Sequence, residues 1–476
     1  MRAIQKHLDP IFYVLLSLPS TAMGFALSVQ ISALSWILST KYNLKIEEVG
    51  LVWAAGPIAG IFGQVIFGVI SDQAWFWGGR RRPFILIGGV LAALMLLALP
   101  NIEVVSTTLG LDGILGVAIL VALMLDLSIN VGFNPTRSII ADVTPEGQER
   151  TKGYTWMQTI SGTFGVLAYV IGAVWGNYNL IYFGAVLVLL LSVIPPFFIE
   201  EPRELAQTGD PNKATQRYGL REIMLSILPL WGFLVYAIYG MAMRLMEVER
   251  SNYWVEMVCA ALTAGTIIYV MSARERGKSR SEAGQIGFRK VLAAHAFTWI
   301  GVQTMFIYMF AYVQQQMPEL GDRDMGKVVS VAFLVLNAVG ALLPAFVLEP
   351  LARKIGRVRT HAWSITMMAI GYAGLWLLPG TPTTVYLLMG ITGIGWAATI
   401  SLPFAIMSGQ VDQQKMGLYM GLFNLAVVLP QLVASLGIGE WIGGLEQKNL
   451  IFMLCSVCLA ISAAIWFFVR ETRQEA

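Results

Sequence analysis

Charge-free apolar stretches recur along nearly the whole of this sequence. A bilayer core about 30 Å thick needs about 20 apolar residues in one helix. Residues 153–199 and 360–411 contain no Asp, Glu, Lys or Arg. Each is too long for a single span, so each must fold back on itself. A Gly-Asn pair at 176–177 and a Pro-Gly pair at 379–380 supply the turns.

The composition agrees with lipid as the solvent for most of the chain. Of its 476 residues, 56% are apolar and 13% are charged, whereas soluble domains carry about 25% charged residues. A water-soluble fold is therefore excluded. The 32 basic and 29 acidic residues leave a net charge of only +3, which is too small and too evenly spread for a surface that binds nucleic-acid phosphates.

The cysteines and the phosphate-binding motifs exclude several kinds of site. Cys259, Cys455 and Cys458 all lie inside apolar stretches, so they build neither a disulfide framework nor a four-ligand zinc site. We interpret them as packing residues. A phosphate loop of the form GxxxxGK[ST] does not occur in the sequence, so ATP is not expected to drive the protein. The sequence predicts no metal site and no cofactor.

Apolar windows of about 20 residues predict fourteen membrane-spanning helices. The first is interpreted as a membrane anchor rather than a removable signal, because no cleavage-site pattern precedes a polar region. A re-entrant pair is the alternative for the seventh and eighth windows. The windows are 10–38, 48–71, 83–101, 113–139, 154–175, 179–199, 222–243, 254–272, 289–314, 327–349, 360–379, 383–408, 416–438 and 449–470.

The distribution of Lys and Arg predicts that both termini are cytoplasmic, because cytoplasmic loops retain these residues. With fourteen spans and both ends inside, all but seven of the 32 basic residues fall on the cytoplasmic side. We expect a multi-pass protein of the cell (inner) membrane that acts as a monomer. The seven exceptions are Lys41, Lys45, Arg244, Arg250, Arg323, Lys327 and Lys448.

An internal repeat divides the chain into two halves. Asp72 and Glu349 lie 277 residues apart, and each precedes a Gly-Arg-x-Arg run that begins seven residues later. We therefore predict an N-terminal six-helix bundle over 1–200, a cytoplasmic linker with two inserted helices over 201–288, and a C-terminal six-helix bundle over 289–476. Two such bundles with a cavity between them are typical of an alternating-access transporter.

Three segments of the chain carry recognisable motifs. They are Gly56-Pro57-Ile58 with Gly68, Ser71-Asp72 and Gly79-Arg80-Arg81-Arg82-Pro83-Phe84-Ile85; Leu125-Asp126-Leu127 with Asn130, Pro135, Arg137 and Ala141-Asp142; and Gly421, Asn424-Leu425-Ala426 and Pro430-Gln431. In this order they resemble sucrose/proton symporters. Those proteins belong to the major facilitator superfamily, near its glycoside-pentoside-hexuronide:cation symporters.

The resemblance implies the major facilitator fold and a proton-coupled carrier of neutral disaccharides or related glycosides. It also implies that Asp126 is the proton and sugar site. Two features depart from the pattern of the symporters. Their second half begins with a helix that carries acidic residues after Thr-Trp-Ile, whereas Thr298-Trp299-Ile300 is followed here by Gln303 and no carboxylate. The inserted helix pair is also foreign to the twelve-helix form.

Asp126 is the only acidic or basic residue in the middle of a predicted span. A charge at that depth costs about 3 kcal/mol, and desolvation disfavours the ionised carboxylate. We therefore expect Asp126 to bind and release the coupled proton. Asn130, Asn134 and Arg137 lie about 40°, 80° and 20° from it around a helix, so all four line one face. The alternative is an Asp held permanently by a partner on another helix.

Arg137 is the second predicted proton-coupling residue. It lies about 16 Å from Asp126 along the helix axis, so the two side chains cannot pair directly. One interpretation is a cation that stabilises ionised Asp126 or nearby carboxylates in the inward-facing state. The other is an anchor at the end of the helix that extends to the interface.

Sugar binding needs hydrogen-bonding groups in a cavity wall and an aromatic face for the apolar side of the ring. Each candidate could instead hydrogen-bond only between helices. His295 is predicted to be interfacial, since it follows Arg289 and Lys290. The candidates for sugar binding are Asn130, Gln158, Trp299, Gln303 and Asn424.

The two repeated motifs predict a conformational latch on the cytoplasmic side. Salt bridges there would hold one state closed until opening breaks them. The predicted members are Asp72 with Arg80, Arg81 and Arg82 in the first half, and Glu349 with Arg353 and Arg357 in the second.

The sequence as a whole predicts a proton-coupled secondary active transporter that imports a neutral disaccharide of the sucrose or maltose type. An enzyme is not expected, because the spans contain no His pair, Ser-His arrangement or two-carboxylate cluster. One alternative is a sugar uniporter of the same fold, in which Asp126 is structural. Another is a drug/proton antiporter, which the polar Asp-Asn face disfavours. The expected partners are a neutral sugar, a proton and the lipid bilayer.

Overall fold

The regular secondary structure of the described residues is helical, apart from an isolated bridge between Phe76 and Gly79. The computed structural model describes residues 8–60, 70, 75–111, 113–145, 148–202, 220–246, 252–411 and 416–470.

The described helices are numbered in the order in which they occur along the chain. They are α1 (Pro10–Thr40), α2 (Ile46–Trp53), α3 (Arg82–Ala98), α4 (Ile102–Leu109), α5 (Ile114–Val143), α6 (Gln148–Trp175), α7 (Asn177–Val193), α8 (Leu220–Ser226), α9 (Trp231–Leu245), α10 (Trp254–Ser272), α11 (Arg280–Gln316), α12 (Asp322–Leu343), α13 (Glu349–Ile355), α14 (Arg357–Leu377), α15 (Pro382–Gln410), α16 (Met416–Val433), α17 (Gly439–Gly443) and α18 (Leu450–Phe467). π-Helical turns at Pro344–Leu348 and Ala434–Ile438 continue α12 and α16.

Eleven helical stretches of the described residues are long and apolar enough to cross a bilayer. Seven of them coincide with a predicted window to within three residues at both ends, and the other four differ from their windows by five to eight residues at one or both ends. They are Pro10–Thr40, Arg82–Leu109, Ile114–Ile140, Lys152–Trp175, Asn177–Phe198, Trp254–Ser272, Ser281–Gln316, Asp322–Leu343, Pro382–Gln410, Leu418–Gly443 and Leu450–Phe467.

The predicted count of fourteen spans is not confirmed. The window 48–71 runs into residues outside the described part. The window 222–243 is divided between α8 and α9 by a 3-10 turn that contains Pro229, a residue without the backbone N–H that a continuous helix needs. The window 360–379 forms α14, which is long enough but carries His361 and several hydroxyl side chains, and it is not among the eleven.

The helices pack into two compact units. The first holds Met1–Thr215 and Glu319–Leu334, and the second holds Gln216–Pro318 and Val335–Ala476. In the first unit α1 packs on α5, α6 and α7, and α3 packs on α5 and α7. Small residues permit this closeness: a Cβ at Gly88 would lie 2.8 Å from the Ser128 carbonyl oxygen, and one at Gly89 would overlap Ser192.

In the second unit α11 packs on α16 and α18, and α14 packs on α15 and α18. The inserted helices α9 and α10 belong to this unit and pack on each other, with Gly232 so close to Thr263 that a Cβ would overlap it. Between this pair and the ends of α16 and α18 lies an apolar cavity of about 460 Å³. The inserted pair exposes many apolar side chains, among them Ile238, Val258 and Ile268.

Candidate functional site

Asp126 lies in the middle of α5 and is buried, with 6% of its surface exposed. The side chain of Gln30 on α1 donates a hydrogen bond from Nε2 to Asp126 Oδ2 at 2.8 Å. Gln30 is itself 2% exposed. Among the described residues the partner of this carboxylate is thus a neutral amide rather than a cation. Within the described part of the structure, no ion pair compensates the charge of an ionised Asp126.

Gln30 is a functional candidate that sequence reasoning missed. Its Oε1 atom is buried and makes no hydrogen bond within the described structure. An amide carries both a donor and an acceptor. When Asp126 is protonated, its O–H can donate to Oε1 after the amide turns over, so Gln30 can bind both protonation states. The sequence does distinguish Gln30, because it is the one Asn or Gln in its predicted span.

The backbone of Gly56 passes directly beside the Asp126 carboxylate. A Cβ placed on Gly56 would lie 3.4 Å from each of the two carboxylate oxygens. This distance is van der Waals contact for one methyl group, and a longer side chain would extend from that point beside the carboxylate. Glycine at position 56 therefore keeps the space into which the carboxylate projects.

Gly56→Leu is expected to abolish transport, whereas Gly56→Ala is expected to weaken it only moderately. The leucine would displace the Asp126 carboxylate from Gln30 Nε2, and misplacement by about 1 Å can cost 100-fold in rate. Uptake of substrate by vesicles that contain equal amounts of each variant measures the effect. Gly60→Leu is the matched control, because a Cβ at Gly60 meets no atom of the described residues within 4 Å. Equal losses of uptake at both positions would contradict the conclusion that Gly56 keeps space for the Asp126 carboxylate.

The other predicted residues of α5 lie at different depths of burial. Asn130 is 8% exposed, and its Nδ2 donates to the Asp126 backbone oxygen at 2.8 Å, so these two predicted residues are brought together. Arg137 is exposed and lies over the ring of Phe133, 5.3 Å from its centre. The hydroxyl of Tyr154 on α6 donates to the Arg137 backbone oxygen at 3.3 Å. Gln158, also on α6, is exposed.

The second unit contains a separate aromatic and amide cluster. Trp299 on α11 is half-buried and meets Trp396 on α15 edge to face, with ring centres 6.2 Å apart. Trp396 Nε1 donates to Asn337 Oδ1 at 3.2 Å. Gln303 is 4% exposed and accepts a hydrogen bond from Gln431 Nε2 at 3.1 Å. Trp396 and Asn337 were not predicted, since a Trp and an Asn in apolar spans look like ordinary packing residues.

His295, which the sequence predicted to be interfacial, is buried within the second unit, with 2% of its surface exposed. Its ring stacks on Phe423 at 4.6 Å, and its Nε2 accepts a hydrogen bond from Trp299 Nε1 at 2.9 Å. α11 begins at Arg280, so His295 lies about four turns inside the helix rather than near its start. Asn424 is half-buried on α16.

The arginines of the first repeat form a buried ionic cluster. Arg80 Nη2 and Arg81 Nε lie 3.1 and 3.2 Å from Asp142 Oδ2 at the end of α5. The three side chains are 15%, 8% and 9% exposed. Asp72, the predicted acidic partner, lies outside the described residues. The pairing with Asp142 joins the loop before α3 to the end of α5.

Glu201 completes this cluster through the backbone. The N–H groups of Arg80, Arg81 and Arg82 all donate to its carboxylate, at 2.8, 2.8 and 2.7 Å. Three successive N–H groups of this kind form an anion-binding concavity. A Cβ at Gly79 would overlap Glu201 Oε1. The Arg82 guanidinium lies over the Phe197 ring, 4.5 Å from its centre.

The second repeat is arranged differently. Glu349 Oε1 and Arg353 Nη2 lie 2.5 Å apart, but both belong to α13, and their side chains are 60% and 78% exposed. This pair therefore does not join two elements. Arg357 is the first residue of α14, directly after Gly356, whose φ of +94° lies in the region that favours glycine. Among the described residues of this unit, Lys290 and Glu275 form a buried ion pair, 2.6 Å apart.

The family is decided by a match to the model of the Major Facilitator Superfamily over residues 16–435. The chain belongs to the major facilitator superfamily. The chain is also similar to a sucrose transport protein of Arabidopsis thaliana, with 24% identity in an alignment 469 positions long that covers 90% of this chain and 84% of that protein. A general alpha-glucoside permease of Schizosaccharomyces pombe is 27% identical in an alignment 174 positions long that covers 33% of this chain and 31% of that protein.

A solved structure shows the same fold. The xylose transporter of E. coli, in an inward open conformation, superposes with a TM-score of 0.62 at 15% identity, covering 98% of this chain and 97% of that one. The predicted major facilitator fold and the resemblance to sucrose/proton symporters are confirmed. This member of the superfamily is a multi-pass membrane protein and a transporter rather than an enzyme.

Proposed function

We propose that this member of the major facilitator superfamily is a proton-coupled symporter that imports a neutral disaccharide of the sucrose or maltose type across the cell membrane by alternating access. The observation that carries the proposal is the buried Asp126 carboxylate, whose described partner is the neutral Gln30. The similarity to sucrose transport proteins and to an alpha-glucoside permease supports the choice of substrate.

The proton step follows from the surroundings of Asp126. Burying an ionised carboxylate without a compensating cation is costly, whereas a protonated carboxyl group can be satisfied by hydrogen bonds alone. Gln30 can bind either state, through Nε2 or through Oε1. Asp126 therefore exchanges its proton when water reaches it and keeps the proton when the site is closed. Opening to one side at a time then makes the proton cross with each cycle.

The sugar step requires groups that bind hydroxyls and a ring that covers the apolar face. Asn130 and Gln30 flank Asp126 in the first unit. In the second unit Trp299 and Trp396 present aromatic faces, and Gln303 supplies an amide. Mixed amide and aromatic linings are typical of sites for neutral polar ligands. Gln158 and Asn424, the remaining predicted contacts, stay proposals.

The ionic cluster at Arg80, Arg81 and Asp142 is proposed as the cytoplasmic latch of the first unit. Its members belong to different elements, so movement of α5 relative to the loop before α3 would break it. Glu201 holds the backbone of that loop and thereby fixes both guanidinium groups. A latch that contains two buried ion pairs has two discrete states rather than a continuous range.

Purified protein in liposomes is expected to make the outside solution alkaline when one disaccharide is added without any other gradient. Proton entry with the sugar causes the change, so a proton ionophore should abolish it while leaving the liposomes intact. Sucrose, maltose, lactose and glucose should be compared, because this account predicts a response to a disaccharide. Sugar exchange without any pH change would identify a uniporter instead. If no sugar caused a pH change or was exchanged, the drug/proton antiporter would be favoured.

A further inference from the structure

A second cavity, which is polar and has a volume of about 420 Å³, lies in the first unit. It is at the end opposite to the arginine cluster. We name it the Asn177 pocket. It is formed where α1 and α6 end and where α7 and α12 begin, and its volume falls within the range of about 300–1,000 Å³ found for ligand sites. The residues that matter for its chemistry are Trp175, Asn177, Tyr178, Asn179, Asp322 and Arg323.

Asn177 supplies a buried donor that lacks a partner. The side chain is 4% exposed, and its Oδ1 accepts a hydrogen bond from Ser330 Oγ at 3.0 Å. Ser330 is in turn bonded to Ser32 on α1, also at 3.0 Å. The amide is therefore held in one orientation, with its Nδ2 making no hydrogen bond among the described residues. A buried donor left unsatisfied is costly, so a ligand oxygen at this position would be stabilising.

Two exposed aromatic rings line the same pocket as this donor. Trp175 is 55% exposed and Tyr178 is 41% exposed. Trp36, which is 5% exposed, packs edge to face against Tyr178 with ring centres 5.1 Å apart, and its Nε1 donates to the Asp322 backbone oxygen at 2.8 Å. The tyrosine ring is thereby held in place. Exposed rings of this kind offer flat apolar faces to a ligand.

The pocket contains charged groups of both signs. Asp322 and Arg323 are adjacent at the start of α12 and both are exposed. Lys41 also lines the pocket, and its ammonium donates to the Pro100 backbone oxygen. An anion would meet the Asp322 carboxylate and a cation would meet the Arg323 guanidinium. Vicinal hydroxyl groups can accept from the guanidinium and donate to the carboxylate at once.

We propose that the Asn177 pocket is a second sugar-binding site, separate from the one at Asp126, which binds one ring of a neutral sugar. Asn177 Nδ2, Arg323 and Asp322 bind the hydroxyls, and Trp175 or Tyr178 covers the apolar face of the ring. In the predicted orientation the pocket is extracellular, so it binds sugar before entry. This inference deepens the proposed function and rests on it.

The test uses the full chain labelled with 5-fluorotryptophan in lipid nanodiscs, with fluorine NMR as the readout. Trp175→Phe assigns the resonance of Trp175, and the probe is the disaccharide that the liposome assay identifies. The Trp175 resonance should shift as this sugar is added. The shift should depend on the sugar concentration in the same way in Asp126→Asn. A resonance that stays unmoved while the wild-type protein transports the sugar would overturn the second site and leave the proposed function intact.

Equilibrium binding of the same sugar provides the second measurement. Trp175→Ala and Arg323→Gln should each weaken the affinity of one of two binding phases about tenfold. Folding should be retained, because both side chains are exposed. Trp254→Ala is the matched control, because Trp254 is 67% exposed and does not line the pocket. A single phase that neither variant changes would overturn the inference. Absence of any sugar binding or transport would overturn the proposed function together with it.

Discussion

Asp126→Asn is expected to abolish sugar accumulation driven by a pH gradient while sugar exchange across the membrane continues. Asn has nearly the same shape as Asp and can still accept a hydrogen bond from Gln30 Nε2, so the sugar site is retained. It cannot release a proton, so the inside and outside sugar concentrations should become equal. Uptake of labelled disaccharide into liposomes, with and without an imposed pH gradient, measures both properties.

The same variant should not be destabilised. An ionisable residue at the bilayer centre costs about 3 kcal/mol, so Asn should leave Tm unchanged or raise it. Asp324→Asn is the matched control, because Asp324 is exposed near the start of α12. This control should accumulate sugar like the wild type. Accumulation that persists in Asp126→Asn would show that the coupled proton is carried by another group.

Asp142→Asn is expected to lower the free energy of unfolding by about 3 kcal/mol. Removing one partner from a buried ion pair leaves an uncompensated charge, which typically costs about 3–5 kcal/mol. Here two guanidinium groups would lose their shared carboxylate. Thermal unfolding of the purified protein in one detergent, followed by the signal of its tryptophans, gives the change in Tm.

An exposed ion pair in the second unit supplies a control for this experiment. Glu349→Gln breaks the pair of Glu349 with Arg353, whose side chains are 60% and 78% exposed. Exposed pairs contribute about 1 kcal/mol or less, so Tm should change little. The two substitutions each remove one carboxylate charge from an ion pair, and the pairs differ in burial. Equal effects on Tm would contradict the account of the buried cluster.

The spans could be predicted because lipid leaves a strong pattern in the sequence. A helix needs about 20 apolar residues to cross a bilayer, and eleven of the predicted windows became such helices. The windows 222–243 and 360–379 matched less well for local reasons. Pro229 interrupts the first, and polar residues such as His361 and Ser364 occupy the second.

The site could be predicted only in part. Asp126 stood out because a lone charge in an apolar span is costly, but its partner Gln30 is 96 residues away in sequence and on another helix. Sequence position carries no signal for that pairing. Glu201 was missed because it binds three backbone N–H groups rather than the arginine side chains. His295 was misplaced because charged neighbours suggested a helix end, whereas α11 extends beyond them.

The most direct test of proton coupling is the sugar gradient at which net flux through the protein stops. In liposomes with a pH difference of one unit and no membrane potential, one proton per sugar should balance a sugar gradient of about tenfold, because a pH unit and a tenfold ratio are each about 1.4 kcal/mol. The account predicts that this balance point moves tenfold with each pH unit. A balance point that stays at equal sugar concentrations for every pH difference would contradict it.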